Sequence, residues 1–421
     1  MEKILFITNR IPFPNTDGRK NILLQYIGDI KKLFPNAKIF NYTFVDDMKF
    51  LEKKPEIISN ITILKRPGLI EKAYNLLVCT LILRKFPIQV SLFYSRKTHK
   101  QILKEIEIEK PNLIIYDMVR VSEYVRGMPK DCIHILNYDD LLSLRYKRQI
   151  QWLEYIPSVI GGFANKIPKV INGVFNSKSI QGLILKIESE LLKRYELRVN
   201  KYFHHLVFTS PKEADDFKKL SMHPSCEGIP MHFPNSKIQS GPQEVQFNKI
   251  VFVGKMDIPH NVAAVMYFCE KIFPAIKKEM PDIKFHIVGK SPNKSIINLE
   301  KQFSDVYVTG EIEDLQTFII DAGVFVAPLL FGTGIKTKII EALSLGIPVV
   351  TTPIGAEGIV YKNEQDLFVT ENDNQFAKYI IDLVNNHDRN INARRYANNF
   401  FQENYTSEHN IGVWERVLKH K

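Results

Sequence analysis

The chain has 421 residues, of which 45% are hydrophobic and 24% charged, which is enough for two buried cores and excludes a disordered chain. Its formal net charge of +11 belongs to the first half, since residues 1–240 carry 38 Lys or Arg against 24 acidic residues, while residues 241–421 carry 19 against 22. The Lys and Arg residues are scattered and accompany no nucleic-acid motif, so we expect no nucleic-acid partner.

The first half alternates predicted strands and helices. Lys3–Thr8 is a short apolar run typical of a strand buried on both faces, Asn9–Gly18 is a loop rich in Pro, Asn and Gly, and Arg19–Leu33 has apolar residues at helical spacing. Further strands are predicted at Pro111–Tyr116, Cys132–Asn137 and His205–Thr209. This order predicts a parallel, doubly wound sheet.

Two stretches of the first half bear on a membrane. Ala73–Leu83 is the most apolar, but it is interrupted by Asn75 and too short to span a bilayer, which predicts a core or interfacial helix. Gln151–Lys186 mixes apolar residues with Gly and Lys, as in a surface that touches lipid or in a helical insertion packed on its own domain. The basic excess favours an anionic partner such as a bilayer surface, a lipid-linked phosphate or an acidic polymer; a lysine-rich proteome explains it equally well.

A polar stretch, Pro234–Gln246, predicts an interdomain linker. Five strand candidates follow it, at Ile250–Val253, Lys284–Val288, Val306–Val308, Val324–Ala327 and Pro348–Thr351. The fold class is therefore α/β, with two Rossmann-like doubly wound domains that we expect to face each other across a cleft, where ligands bind outside the carboxyl ends of the strands. The four cysteines have neither CxxC nor metal-ligand spacing, and no signal-peptide pattern follows Lys3, which favours the cytoplasm.

A glycine-rich turn that leads into a helix carries the strongest chemical signal. Gly332 and Gly334 allow the backbone to approach a ligand, and the helix offers unpaired N–H groups to an anion. Lys336 and Lys338 lie in the first turn, where the helix dipole favours acids, which suggests that an external anion neutralises them. Glu341 lies one to two turns further on, where a carboxylate could accept hydrogen bonds from the two hydroxyls of a ribose.

The segment Pro328–Thr352 resembles the donor-binding signature of the GT-B glycosyltransferases, specifically the retaining glycosyl transferases group 1, often called family 4. Gly254–Asn261 resembles the first loop of that family's C-terminal domain, and Thr352–Gly358 resembles the Gly-Ala-Glu-Gly turn of a subgroup. Asn9–Arg19 resembles the family's glycine loop. Two further segments resemble its N-terminal domain: Asn137–Tyr146 and the pair Tyr195-Glu196.

The resemblance implies a domain of residues 1–235 on the acceptor side, a nucleotide-sugar domain of residues 236–400, and a last helix within residues 401–421 that crosses back to the first domain, where Trp414 packs. It implies that Glu341 holds the ribose and that the loop backbone meets sugar and diphosphate. The implied donor-binding residues are Gly18, Arg19, Gly254, Gly332, Thr333, Gly334, Ile335, Lys336 and Glu341. The implied catalytic residues are Lys255, Lys338, Glu341 and Asp140.

Two departures from the family pattern matter. The glutamate that commonly precedes the ribose-binding one by eight residues is replaced by Thr333, which leaves the donor sugar open. The usual Arg and Lys of the first C-domain loop appear as Lys255 and Asn261, so one cation is missing. Lys336 or Lys338 could supply it, and we favour Lys338, with a helix-surface role as the alternative for either.

The resemblance also implies retention of configuration with no metal and no cofactor, the nucleotide-sugar being a substrate. Breaking the bond between sugar and diphosphate leaves about two negative charges on the leaving group, which N–H groups and lysines stabilise. The donor phosphate can itself accept the acceptor's proton, so the histidines are expected to be structural. Asp139 and Asp140 either steer the acceptor hydroxyl or cap the next helix, and Arg19 either reaches a phosphate or anionic acceptor or simply begins a basic helix.

The leading hypothesis is a retaining glycosyltransferase that takes a nucleotide-sugar donor and a lipid-linked or saccharide acceptor in surface polysaccharide synthesis. We expect it in the cytoplasm, peripheral on the inner face of the membrane through its basic half. Two alternatives keep the fold: a nucleotide-sugar epimerase, which needs acids and His at the cleft, and a non-catalytic subunit with a degenerate donor site. Thr333 favours the last, while intact Gly332, Gly334 and Glu341 argue against it.

Overall fold

The computed structural model describes residues 1–15, 18–155, 177–233 and 244–419. The chain divides into two compact units. The first consists of Met1–Leu144, Ile187–His232 and Ser407–Lys421, and the second of Arg145–Lys186 and Phe233–Thr406. Residues 145–186 thus group with the second unit, whereas the sequence-based boundary placed them in the first domain. Much of Gln151–Lys186 and of the predicted linker lies outside the described residues.

The first unit is built on a seven-stranded, wholly parallel sheet. From edge to edge its strands are β3 (Asn60–Ile63), β2 (Lys38–Thr43), β1 (Lys3–Thr8), β4 (Leu113–Asp117), β5 (Ile133–Asp139), β6 (His205–Phe208) and β7 (Cys226–Gly228). β1 and β4 lie at the centre and are almost wholly buried, because helices cover both faces of a parallel sheet.

The helices of the first unit connect these strands. Its α-helices are Gly18–Leu33, Leu69–Tyr74, Ile88–Ser91, Arg96–Glu109, Pro211–Ser221 and Ser407–Lys419, with the 3-10 turns Met48–Lys53, Val119–Val125 and Asn200–Tyr202 and the π-helical turn Asn75–Ile82. The α-helices Leu142–Ile150 and Lys178–Val199 each contain a boundary between the units. In the tail helix, the buried Trp414 packs edge-on against Tyr26, with ring centroids 5.2 Å apart.

The second unit is built on a six-stranded parallel sheet. Its strands, in sheet order, are β10 (Val306–Gly310), β9 (Lys284–Val288), β8 (Gln246–Val253), β11 (Ala322–Ala327), β12 (Val349–Thr351) and β13 (Phe368–Val369). Its α-helices are Pro259–Tyr267, Phe273–Glu279, Lys294–Ile297, Leu299–Gln302, Leu315–Ile319, Thr337–Ser344, Asp373–Asn385 and His387–Asn404, with the turns Leu153–Tyr155 (3-10) and Phe268–Ile272 (π-helical).

Each sheet separates two apolar layers. In β8, Ile250 and Phe252 belong to one buried cluster, while Val251 and Val253 belong to the cluster on the opposite face. Residues that lie between two such layers are apolar, which is why Ile250–Val253, the last four residues of β8, form a continuous apolar run. The prediction of an α/β chain with two doubly wound sheets is confirmed.

Both sheets reverse their strand order next to their first strand, between β1 and β4 and between β8 and β11. At such a switch point the connections leave in opposite directions and open a crevice at the carboxyl ends of the strands. These two edges are therefore the places in which to look for a site. None of the helices in the described ranges is both long and apolar enough to cross a bilayer.

Gly289, directly after β9, allows a close backbone contact at the carboxyl edge of the second sheet. Its φ is +144°, and a Cβ there would stand 1.9 Å from the carbonyl oxygen of Gly254. We expect Gly289→Ala to destabilise the second unit by about 3 kcal/mol, because backbone must move to admit the methyl group. The measurement is urea unfolding followed by Trp152 fluorescence in a Trp414→Phe background, since the chain has two tryptophans and Trp152 belongs to the second unit.

The matched control is Gly310→Ala. Gly310 also has a positive φ, +73°, but no atom lies within 4 Å of its Cβ position. This variant carries the conformational cost alone, about 1 kcal/mol. Equal destabilisation by the two substitutions would show that the close approach to Gly254 contributes nothing.

Candidate active site

At the carboxyl end of β8, three side chains and one backbone carbonyl are linked. The amide nitrogen of Asn261 donates to the carbonyl oxygen of Lys255 over 2.9 Å, and its amide oxygen accepts from the ammonium of Lys338 over 2.5 Å. Gly254 makes room for this arrangement, since a Cβ there would lie 2.7 Å from Asn261 Nδ2 and 2.9 Å from Lys338 Nζ. Lys255 pairs with Asp257 over 3.0 Å. The structure thus brings together Gly254, Lys255 and Lys338 from the predicted site.

Lys338 is a cation in an unfavourable place. Its ammonium lies 4.3 Å from the centroid of the Phe252 ring. Burial, with a smaller contribution from Lys336, lowers its pKa from 10.5 to about 7. The neighbouring His260 has a pKa held well below its usual value, mainly by burial and further by Lys338, Arg145 and Lys336. Several positive groups therefore share one region of low polarity, which is an arrangement that an external anion would stabilise.

Lys336 has a different position from Lys338. Its ammonium donates to the carbonyl oxygens of Gly334 over 2.5 Å and of Thr333 over 3.2 Å, and its side chain lies against Gly332. Gly332 and Gly334 have φ values of +148° and +68°, which residues with a Cβ rarely adopt. Lys336 therefore braces the glycine turn, while Lys338 lies at the position of the missing cation, on Asn261.

Glu341 lies one turn beyond Lys338 on the helix Thr337–Ser344. Burial alone raises the pKa of its carboxyl from 4.5 to about 7. In the part of the chain that the structure describes, no donor reaches this carboxylate. A half-buried acceptor without a partner costs free energy, so the position is prepared for a ligand that brings hydroxyl groups. Ile335, also predicted to bind the donor, is buried in the core under this turn.

The sequence reasoning missed a pair that holds the glycine turn. Arg148 donates to the carbonyl oxygen of Gly332 over 2.7 Å and forms a bidentate pair with Glu357, with N–O distances of 2.5 and 2.8 Å. Arg145 lies one turn earlier on the same helix, with its Nε 3.4 Å from Thr333 Oγ1. The Gly-Ala-Glu-Gly motif contains Glu357, so the sequence could indicate it. Nothing in the sequence indicated Arg148 except its spacing of three residues from Arg145.

In the first unit the predicted residues lie around a different ion pair. Arg19, which follows Gly18 at the start of its helix, is bonded to Asp117 at the end of β4, and its Nη1 lies 2.7 Å from Asp139 at the end of β5. Asp139 itself has a φ of +67°. The charge of Arg19 is thus matched by two carboxylates, so its predicted contact with a phosphate stays a prediction.

The turn that contains Asp140 is held by two buried glutamates. Leu141 N–H donates to Glu213 over 3.0 Å, and Ser143 donates to Glu196 from its N–H over 3.3 Å and from its hydroxyl over 2.5 Å. Burial raises the pKa of Glu196 to about 7, and the charge of Asp140 adds to the effect. Asp140 is 3% exposed, and its role in steering an acceptor stays a prediction.

The four histidines expected to be structural each have a partner in the first unit: His134 on the Pro129 carbonyl, His204 on the His134 N–H, His205 on Ser225 and His232 on Asp29. Among the described residues, no group of three or more His, Cys, Asp or Glu is placed to hold a metal ion.

The pKa of Lys338 makes a prediction about stability. The folded state binds the lysine proton more weakly than the unfolded state, so the resulting penalty is fully present below pH 7 and disappears as the pH rises towards 10.5. We expect Lys338→Met to stabilise the second unit by about 1–3 kcal/mol at pH 7 and by less at pH 9.5. Urea unfolding followed by Trp152 at the two pH values measures this. Lys255→Met is the control, and a gain independent of pH would contradict the assignment.

The bidentate pair of Arg148 and Glu357 makes a second prediction. Arg148→Ala and Glu357→Ala should each destabilise the second unit, and the double variant should cost about 1–3 kcal/mol less than the sum, because both remove the same pair. Arg148→Lys should not restore the stability, since an ammonium cannot reproduce the fork of two parallel bonds. The same Trp152 unfolding assay measures the cycle. Additive losses would show that the two residues act separately.

Comparison with known proteins agrees with this geometry. Residues 247–386, which carry the Lys338 and Glu341 site, match the family model described as "Glycosyl transferases group 1". A Klebsiella pneumoniae protein described as an "Uncharacterized 44.6 kDa protein in cps region" is 26% identical over 425 residues, which cover 97% of each chain.

Solved structures share the fold along the whole chain. TarM aligns with a TM-score of 0.67 at 14% identity, covering 100% of this chain and 99% of its own. Anabaena Alr3699/HepE, solved with UDP, aligns with a TM-score of 0.64 at 11% identity and covers 100% of both chains. WaaG, a glycosyltransferase involved in lipopolysaccharide biosynthesis, gives 0.60 at 10% identity, covering 99% and 100%. The resemblance found in the sequence is confirmed: residues 247–386 match the group 1 glycosyltransferase model, and the chain has the GT-B fold.

Proposed function

We propose that this protein transfers a sugar from a nucleotide-sugar to an acceptor, with retention of anomeric configuration and without a metal ion. The observation that carries the proposal is the pairing, on one helix, of a buried cation at Lys338 with a half-buried, unpartnered carboxylate at Glu341. A nucleoside diphosphate has complementary groups: a charged diphosphate for the first and a ribose diol for the second. Structures of Alr3699/HepE, which share the fold, contain UDP and UDP-glucose.

Each residue then has a distinct task. Lys338, with Lys255 beyond Asn261, neutralises the charge that develops on the leaving diphosphate. Since Lys338 has a pKa of about 7 in the free protein, an arriving anion raises that pKa and charges the lysine on binding. The glycine turn, braced by Lys336 and Arg148, presents its backbone to the donor. The donor phosphate accepts the acceptor's proton, so no histidine is needed as a base.

A relative's genomic setting and the charge of the first half of the chain support the acceptor part of the proposal. The Klebsiella relative is described by its place in a cps region, which supports a role in the synthesis of a surface polysaccharide. A lipid-linked or saccharide acceptor, a cytoplasmic location and attachment to the inner face of the membrane agree with the basic first half of the chain. Asp140 and Arg19 are the proposed acceptor-side groups.

One observation keeps a second function in view. Thr333 stands where the family commonly has a glutamate that contacts the donor sugar, and it is 8% exposed. A non-catalytic subunit that binds a nucleotide without transferring a sugar would have such a substitution. Nucleotide binding without turnover distinguishes this function from transfer.

The proposed donor site is tested with UDP-, GDP-, ADP- and CDP-sugars. We expect one nucleotide class to raise the melting temperature and to be hydrolysed slowly, and Glu341→Ala to weaken its binding by roughly 10- to 100-fold, because two hydrogen bonds to a charged acceptor are lost. Isothermal titration and hydrolysis assays measure both effects. Glu403→Ala, an exposed glutamate on the helix His387–Asn404, is the matched control.

Three results are informative. If Glu341→Ala binds as tightly as the parent protein, the ribose assignment is wrong. If the protein binds one nucleotide class but neither hydrolyses nor transfers its sugar, the non-catalytic subunit replaces the enzyme. If the folded protein binds none of the four nucleotide-sugar classes, the proposed donor site does not bind a nucleotide-sugar.

A further inference from the structure

The helix Leu69–Tyr74 and its π-helical continuation Asn75–Ile82 bury polar side chains and expose large apolar ones. The side chains that this segment buries include polar Asn75 and Thr80, at 3% and 2% exposure. Those that it exposes are large and apolar: Leu69 (85%), Ile70 (88%), Leu77 (58%), Leu81 (61%), Ile82 (72%) and Leu83 (60%). Helices of proteins that contact only water have the opposite arrangement.

The buried polar groups explain how the helix stays in this orientation. Asn75 Nδ2 donates to the carbonyl oxygens of Ser91 over 3.2 Å and of Tyr94 over 2.9 Å, and Thr80 Oγ1 lies 2.7 Å from Ser91 Oγ. Rotating the helix to bury its leucines would break these bonds and leave the carbonyl oxygens of Ser91 and Tyr94 without the donor that Asn75 supplies. The exposed apolar face is therefore specified by the fold.

Cations surround this face. Between Lys65 and Lys100 the sequence carries eight Lys or Arg residues and one acidic residue, Glu71. Lys72 lies on the helix, and Arg84 and Lys85 follow its end, both exposed. Exposed Tyr74 lies under the guanidinium of Arg96 at 5.4 Å. Apolar side chains with a rim of Lys, Arg and Tyr are the composition of a surface that inserts at the headgroup boundary of an anionic bilayer.

We propose that residues 69–85 form a docking surface for an anionic lipid bilayer, in which Leu69, Ile70, Leu77 and Leu81 insert and Lys72, Arg84 and Lys85 bind the headgroups. A second copy of the chain fits less well, since a symmetric contact would bring the like charges of the two copies together. The surface extends the proposed function by placing the protein where a lipid-linked acceptor lies. Its test does not depend on donor binding.

The experiment is sedimentation of the full chain with vesicles of two parts phosphatidylcholine and one part phosphatidylglycerol, at low salt. We expect binding at least about tenfold stronger than to phosphatidylcholine alone, since each Lys or Arg near an anionic surface contributes about fivefold. Leu77→Glu with Leu81→Glu should abolish binding. Arg84→Gln with Lys85→Gln should weaken binding to anionic vesicles by about tenfold or more and reduce its dependence on salt.

The control is Ile108→Glu with Leu220→Glu, which changes exposed apolar residues on two other helices of the same unit. It should bind vesicles as the parent protein does. Circular dichroism and the melting temperature of every variant establish that each is folded.

Two outcomes would overturn the proposal: a parent protein that does not sediment with anionic vesicles, or a Leu77/Leu81 variant that sediments as well as the parent. Light scattering tests the other occupant, a second copy of the chain. If the parent protein is a dimer that does not bind vesicles, and only the Leu77/Leu81 variant is monomeric, the face belongs to a second copy. Nucleotide binding is measured in the same variants. If neither the parent protein nor any variant binds a nucleotide while the parent still binds vesicles, the donor site is refuted and the docking surface is not.

Discussion

The hydrogen bond between Lys338 and Asn261 is the contact on which the proposed donor site depends. It holds an ammonium in a buried place beside an aromatic ring, with an amide oxygen as its polar partner. An amide can orient a cation but cannot neutralise it, so the protonated form of Lys338 is poorly stabilised in the free protein. The close approach at Gly254 is a condition of this arrangement, because any side chain there would push Asn261 and Lys338 aside.

The rest of the second unit supports that contact by restraining the backbone around it. Gly289 lets the loop after β9 close against Gly254, and Lys336 and Arg148 bond to carbonyl oxygens of the glycine turn. Preorganisation of this kind costs stability in the free protein, but it removes the reorganisation that would otherwise accompany transfer.

The sequence predicted the parts of the fold that follow from continuous apolar runs. β1, β4, β11 and residues 250–253 of β8 are buried on both faces, and all four were found. β2 was missed because Asn41 and Thr43 interrupt its apolar pattern. Asn41 can be buried because its amide nitrogen donates to Phe6 O over 3.2 Å and to Thr8 Oγ1 over 3.1 Å on the neighbouring strand. Such partners are far apart in sequence, and no local pattern shows them.

The candidate site divides in the same way. Gly254, Gly332, Gly334 and Glu341 could be predicted because they belong to local motifs, and their binding roles stay predictions. The distinction between Lys336 and Lys338 required coordinates, since a single residue separates them and only their folded partners differ. Arg148 could not be found at all, because its partners Gly332 and Glu357 lie about 200 residues away in the chain.

The donor site and the face of residues 69–85 follow the same physical logic at different scales. In the second unit a buried cation and a half-buried carboxylate lack groups that a nucleoside diphosphate carries. In the first unit an apolar helix face, fixed by buried Asn75 and Thr80, lacks the cover that a bilayer provides. A protein without a binding partner pairs its charges and buries its leucines. Groups that well-ordered surroundings leave unsatisfied therefore indicate where another molecule binds.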